Sequence, residues 1–351
     1  MKRLRILFVG QTAPGSRTLQ RIRVLGEMGH DVTIVPTQRA GSTYEDAPSL
    51  VARVRHRLRI PSDEAGANTA ILAHLAGAPA DILWLDRAVA IRAATLGEAK
   101  RRAPSIRVLW YAEDDMMNPH HLSRWIERAL PRFDLWVTTK SMNAEPHEMP
   151  AKGVRRVLFV DNSYDPMIHR PVPISPAEEQ AYGSDVSFVG TYELERARSL
   201  ALLARQGFDV RIWGNGWQRM KDRPPGLRLE ERPVYDDEYA KVVAASRINL
   251  CFLRKENRDL QTCRSIEIPA MGGLMAHERN AEIARMFKEG EEAVYFDNDT
   301  ELAEKCRGLL ADDTRRQCIA ERGYRAVTAG GYRHHDRLAQ ILDATIEAAP
   351  R

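Results

Sequence analysis

The twelve residues Thr262-Cys263-Arg264-Ser265-Ile266-Glu267-Ile268-Pro269-Ala270-Met271-Gly272-Gly273 combine groups that suit an anionic ligand. They follow a strand-like run, 248–253, and a polar loop, 254–261. Thr262 is placed to cap a short helix. On that helix Arg264 and Glu267, three positions apart, share a face. A ligand beyond the carboxyl end of the strand would meet the free N–H groups of the helix start and the charged fork of Arg264, a pairing that favours a diphosphate. Glu267 can accept hydrogen bonds from the two hydroxyls of a ribose, and Gly272-Gly273 lets backbone come close to a ligand. Pro269 removes one helical hydrogen bond, so the helix is expected to be very short or kinked. An exposed Arg264–Glu267 ion pair on an ordinary helix fits the same residues.

A second cluster lies in the first half, where Val108-Leu109-Trp110-Tyr111 runs into Ala112-Glu113-Asp114-Asp115. Acids at the carboxyl end of a parallel strand stand where such sheets bind ligands. Asp114 or Asp115 can act as general base on a hydroxyl, or stabilise positive charge that develops on a reacting carbon. Capping a helix that starts near Pro119 is the structural alternative. An acid-x-acid triplet can also hold a divalent metal. His120 and His121 are further candidate bases, although adjacent histidines at a helix start are usually surface residues.

These residues need elements to position them. Short β-branched and aromatic runs at 4–9, 32–35, 82–85, 108–111, 135–138 and 157–160 alternate with longer amphipathic stretches. That is the pattern of parallel sheets joined by helices, an α/β fold. With 351 residues, two domains are expected. A proline-rich passage carries Pro166, Pro171, Pro173 and Pro176, so the division is set at 1–165, a linker 166–184, a second domain 185–333 and a last helix from 334 that crosses back to the first domain. The opening unit also recurs. Ile6-Leu7-Phe8-Val9-Gly10, a helix and Gly29-His30-Asp31-Val32-Thr33-Ile34 are matched by Val186-Ser187-Phe188-Val189-Gly190, a helix and Gly207-Phe208-Asp209-Val210-Arg211-Ile212. Two Rossmann-like domains facing across a cleft would explain the repeat.

Several classes are disfavoured. Neither glycine turn has the three-glycine dinucleotide fingerprint, and no phosphate loop ending in Gly-Lys-Ser/Thr is present. The four cysteines, Cys251, Cys263, Cys306 and Cys318, are too widely spaced for a thiolate metal site, so neither zinc nor a disulfide framework is expected. A net charge of +4 suits acidic small substrates or an anionic surface better than nucleic acid. No apolar run reaches the roughly 20 residues that cross a bilayer, so a cytoplasmic chain is expected, with attachment at the inner face of the cell membrane as the alternative.

Residues 235–296 carry a longer pattern: Tyr235, Tyr239, Ser246-Arg247-Ile248-Asn249-Leu250, the Arg264 to Gly273 run, His277-Glu278-Arg279 and Phe287-Lys288-Glu289-Gly290-Glu291-Glu292. This stretch resembles the donor domain of the spore-maturation-protein-B-like glycosyltransferases, relatives of the family 4 and family 1 groups with the GT-B fold. The resemblance implies a metal-independent enzyme without a cofactor, using a nucleotide-sugar donor, with UDP favoured over GDP. It implies that Glu267 holds the donor ribose. Gly190, Thr191, Trp213, Gly214 and Asn215 would lie near diphosphate and base, with Tyr235, Arg264, Ser265, Gly272 and Gly273 completing the donor site. Gly10 and Gln11 would form an acceptor-side loop, and Asp114 or Asp115 would be catalytic. One departure concerns Asp259, which stands where relatives carry a glutamate eight positions before Glu267. The acceptor is left open between a glycan, a lipid-linked molecule and a small molecule. A sugar-nucleotide epimerase of the same fold and a non-catalytic nucleotide-sugar-binding protein are the rival readings.

The segment 51–60, Val-Ala-Arg-Val-Arg-His-Arg-Leu-Arg-Ile, is a basic amphipathic helix. It can dock on its sheet with a solvated basic face, the favoured reading, or rest on an anionic membrane as a peripheral contact.

Overall fold

A computed structural model of the chain describes residues 2–43, 46 and 49–347. The chain divides into two compact units, 1–161 with 256–258 and 334–351, and 162–255 with 259–333. Residues 348–351 of the expected last segment lie outside the described residues.

The first unit runs β1 (Arg5–Gly10), α1 (Arg17–Glu27), β2 (Asp31–Pro36), α2 (Leu50–Arg57), α3 (Ala67–Gly77), β3 (Ile82–Asp86), α4 (Ala93–Arg102), β4 (Arg107–Ala112), α5 (Arg124–Glu127), β5 (Leu135–Thr138) and β6 (Val157–Phe159). Its six strands are parallel, in the order β2-β1-β3-β4-β5-β6. β3 is buried at every position, as a strand covered on both faces must be. Large rings fill the interior: Phe8 stacks on Trp84 at 5.3 Å and Trp110 on Trp136 at 5.1 Å.

The second unit runs α6 (Pro176–Tyr182), β7 (Ser184–Val189), α7 (Leu194–Arg205), β8 (Val210–Trp213), β9 (Leu227–Leu229), α8 (Asp236–Ala245), β10 (Ser246–Cys251), α9 (Arg264–Ala270), β11 (Met275–Glu278), α10 (Ala281–Met286), β12 (Val294–Phe296), α11 (Asp299–Leu310) and α12 (Asp313–Ala329). Its parallel order is β12-β11-β10-β7-β8-β9. Counted from β7 this is the Rossmann order 3-2-1-4-5-6, while the first unit has the 2-1-3-4-5 order with one strand added. The internal repeat is a structural one, because Ile6 pairs with Val32 as Val186 pairs with Val210. A last helix, α13 (His334–Glu347), belongs to the first unit. There Leu338, Ile341 and Leu342 join the core cluster of Phe8, Val24, Leu25 and Trp84.

Three local expectations change. The stretch read as a linker holds α6, started by a capping box between Ser175 and Glu178, and it is part of the second unit. No helix starts at Pro119. Instead Asp115 accepts a hydrogen bond from the Met117 N–H in a local turn, and α5 begins later, capped by Ser123. Finally, α2 is not docked on its sheet, since none of its residues is buried.

Candidate donor site in the second unit

In the second sheet the strand order reverses between β7 and β10, and the loops beyond their carboxyl ends form the crevice where such sheets bind ligands. Beyond β7 the turn is fastened to the one beyond β8. Gly190 N–H donates to Trp213 O at 2.8 Å, Tyr192 N–H to Asn215 O at 2.9 Å, and the Trp217 indole N–H to Gly190 O at 2.8 Å. Gly214 makes the approach feasible, for at φ 143° an added Cβ would lie 2.1 Å from Gly190 O. Gly190, Thr191, Gly214 and Asn215 therefore come together as expected.

Basic side chains gather at this crevice. Arg196, in the first turn of α7, has only 3% of its side chain exposed. Its Nη1 reaches Thr191 O and Glu193 Oε1, both at 3.3 Å, but Nε and Nη2 have no hydrogen-bond partner among the described residues. Arg264 brings a second guanidinium to the same ring: the two lie 5.5 and 5.7 Å from the Phe188 centroid. Its Nε is also buried without a partner among the described residues. Arg254, just beyond β10, pairs with Glu193 at 3.0 Å. Burial first, and then the charge of Arg264, lower the pKa of Arg196 to about 10. Sequence reasoning missed Arg196, which looks like any other arginine in the helical run Leu-Glu-Arg-Ala-Arg.

Glu267 is buried on α9, with Oε1 3.5 Å from His169 Nε2. His169 Nδ1 accepts the Asp165 N–H at 3.0 Å, so a neutral ring carries its proton on Nε2, toward Glu267. Beside them the Tyr239 hydroxyl is buried without a partner among the described residues. Its pKa is raised well above the ordinary phenol value by burial and then by the charge of Glu267. Asp259 is buried and accepts the Arg254 N–H at 3.2 Å.

Other expected site residues turn out to shape the framework. The seven-residue α9 is preceded by Cys263, not capped by Thr262, and its early N–H groups are already used: Ser265 N–H reaches Thr262 O, while Ile266 and Glu267 N–H reach Cys263 O. The Ser265 hydroxyl accepts the Thr262 N–H and meets His277 Nε2, both at 2.9 Å. Gly272 and Gly273 close α9 with paired bonds to Pro269 O and Ile268 O, a Schellman motif that needs Gly272 at φ 76°. A Cβ on Gly273 would strike Val243 at 2.4 Å, so packing alone accounts for that glycine. The Trp213 ring is buried between the guanidiniums of Arg211 and Arg232, at 4.8 and 4.9 Å, and offers no open face to a base. Tyr235 is 39% exposed at the start of α8.

Residues 195–343 match the Glycosyl transferase-like family model. This glycosyl transferase-like segment starts at α7 and covers most of the second unit. Nearly the full chain is similar to solved structures: sucrose-phosphate synthase from Thermosynechococcus elongatus (12% identity, 99% of this chain and 100% of that one, TM-score 0.67), a glycosyltransferase from Rickettsia africae (12%, 99% and 99%, 0.64) and the Anabaena protein Alr3699/HepE in complex with UDP and glucose (13%, 97% and 100%, 0.63). The fold is therefore GT-B, with two α/β units on parallel six-stranded sheets. No curated protein matches the chain in sequence.

In the first unit the three acids beyond β4 go to different arginines instead of converging on one point. Glu113 meets Arg17 at 3.0 Å, Arg21 at 2.9 Å and the Tyr111 hydroxyl at 3.1 Å. Burial opposes its charge, but Arg17 and Arg21 outweigh it and hold the carboxyl at about 2. Asp115 is held by Arg258 at 2.6 and 2.8 Å and by the Asn143 amide at 2.8 Å. Burial works against its charge, yet those bonds keep its pKa low, which suits a structural anion better than a base. Asp114 pairs at 2.9 Å with Arg87, whose side chain is 57% exposed. Gly10 is required by packing, because a Cβ there would lie 2.8 Å from Thr18, and Gln11 is exposed. His120 and His121 line a cavity of about 60 Å³ together with His56, Arg59 and Arg87.

Proposed function

We propose that the chain is a glycosyltransferase that moves a sugar from a nucleoside diphosphate sugar, UDP favoured, to an acceptor hydroxyl. Its proposed place is the spore-maturation-protein-B-like group, in cytoplasmic synthesis of a glycan, cell-surface polysaccharide or glycoconjugate. The Arg196–Arg264 pair carries this reading. Two guanidiniums over one aromatic ring, with buried N–H groups lacking partners, are unfavourable unless an anion with several acceptor oxygens completes them. A diphosphate at the Rossmann switch point is such an anion.

Glu267, oriented by His169, would accept the ribose hydroxyls, and the Tyr239 hydroxyl is free to donate beside it. As the donor bond breaks, negative charge grows on the leaving diphosphate, and preformed guanidiniums stabilise it without reorganising. This supports transfer without a metal, so activity should survive a chelator. Asp114 is the proposed base on the acceptor, since the arginine it pairs with, Arg87, is exposed.

The test is a thermal-shift series with UDP and GDP, since a ligand that binds only the folded state raises its melting temperature. UDP should stabilise the parent. Glu267→Ala should lose that shift while folding normally, and an unchanged shift would reject the donor site. Asp114→Asn should abolish transfer and leave the UDP shift intact.

A further inference from the structure

Helix α2 leaves its apolar side uncovered. Leu50, Val51 and Val54 on the helix and Leu58 at its end are 75%, 68%, 58% and 50% exposed. Four of the nine exposed large hydrophobics among the described residues thus lie on one two-turn element. At about 100° per residue these four positions fall within an arc of about 100°, so they form one stripe. Apolar residues scattered singly need no explanation, whereas a contiguous stripe marks an interaction surface.

Charge frames the stripe. By the same geometry Arg53 and Arg57 lie along one edge and Arg55 along the other, and no acidic residue occurs between Asp46 and Asp63, while Arg59, which follows, is already paired with Glu127 at 2.9 Å. The cavity of His56, Arg59, Arg87, His120 and His121 beyond the helix adds no open cation of its own, since Arg59 pairs with Glu127 and Arg87 with Asp114, so the charge of the face rests on Arg53, Arg55 and Arg57.

We propose that α2 is a bilayer-docking helix that lays this stripe into the interface of a membrane containing anionic lipid. The apolar side chains would enter the headgroup–acyl boundary while the arginine stems extend outward to place their guanidiniums among lipid phosphates. Charge selects this occupant. A second copy meeting the stripe across a two-fold axis would set Arg53, Arg55 and Arg57 against the same three of the other copy, with no carboxylate on the segment to offset them. An anionic lipid surface matches all three. Among the described residues no helix is long and apolar enough to cross a membrane, so the contact is peripheral. The docking goes beyond the donor-site reading and does not depend on it. Its consequence, that the acceptor is met at the bilayer surface, does rest on that reading.

The experiment is co-sedimentation with vesicles of phosphatidylcholine alone and of phosphatidylcholine with one-third phosphatidylglycerol. The chain should pellet with the anionic vesicles and stay in solution with the neutral ones. Each arginine at an anionic surface contributes about fivefold to binding, so Arg53→Gln/Arg57→Gln should weaken it about 25-fold. Val51→Glu/Val54→Glu should abolish it. Circular dichroism and the UDP thermal shift should match the parent in both variants, which separates loss of docking from loss of folding or of the donor site. No pelleting with anionic vesicles, equal pelleting with neutral ones, or unchanged pelleting of either folded variant would overturn the proposal. So would a solution dimer that dissociates in Val51→Glu/Val54→Glu, because a second copy would then cover the stripe.

Discussion

Replacing Arg196 with methionine should make the ligand-free protein more stable and unable to bind its donor. Arg196 keeps its charge at a disadvantage, since burial and the neighbouring Arg264 bring its pKa from the ordinary guanidinium value down to about 10 in spite of Glu193. That difference corresponds to about 3 kcal/mol by which folding disfavours the charged side chain. Methionine has a similar reach, packs well against the Phe188 ring and carries no charge. What is lost is one hydrogen bond to Thr191 O, about 1 kcal/mol, and the 3.3 Å pair with Glu193. The net expectation is a gain of about 1–2 kcal/mol, which raises the melting temperature by several degrees. The pH dependence follows from the sign. A cation whose folded pKa is depressed destabilises the fold at every pH below the folded value, and the penalty fades only above about 10, toward the ordinary guanidinium value. The gap between variant and parent should therefore stay constant from pH 6 to pH 9. Urea melts of both proteins, with and without UDP, provide the measurement. A variant that is less stable than the parent and still stabilised by UDP would show that the guanidinium is structural, and the diphosphate assignment would fall with it.

Three further perturbations probe the framework. Gly214→Ala forces a Cβ to 2.1 Å from Gly190 O at φ 143°, so a loss of about 3 kcal/mol or more and a weaker UDP shift are expected; a melt like the parent's would contradict the loop geometry. Arg258→Met strands the carboxylates of Asp115 and Glu148, whose side chains are 3% and 8% exposed, for about 2 kcal/mol at pH 7, less than a fully buried pair because the guanidinium is 40% exposed. Both acids have depressed pKa values, so this contribution is present above the ordinary carboxylate range and vanishes as pH falls through the folded values. Urea melts should show the two proteins converging on acidification, and a pH-independent gap would refute the pairing. Ser265→Ala leaves the Thr262 N–H and the His277 ring without their common partner, and thermal melts should register a loss of about 1–3 kcal/mol.

The alternation of strands and helices and the repeated βαβ unit were legible because hydrophobic periodicity and glycine turns are written locally. The role of Glu267 was suggested by its place in a motif, but its orienting partner His169 lies 98 residues earlier and no spacing rule connects them. Gly272-Gly273 is ambiguous in sequence for a physical reason: a glycine pair that lets a ligand approach and one that ends a helix look the same. Only the φ of 76° and the crowding at Val243 tell them apart. For α2 the periodicity showed where the apolar side lies, but it could not show whether anything covers that side. Nor does the run Glu113-Asp114-Asp115 reveal that each acid finds its own arginine, because Arg17, Arg87 and Arg258 are scattered along the chain.

The return of α13 to the first unit bears on the order in which the protein can mature. Leu338, Ile341 and Leu342 complete the cluster around Phe8, Val24, Leu25 and Trp84, one of the first unit's two, so that cluster cannot close until α13 has been made, after the whole second unit. The second unit, with both its core clusters drawn from its own residues, has no such wait. During synthesis the first sheet stays with one face bare while the second unit is made, and over that interval it is more in need of a chaperone than the second sheet. A nonsense mutation just before His334 should consequently cripple the amino-terminal half of the protein and spare the half nearer the break.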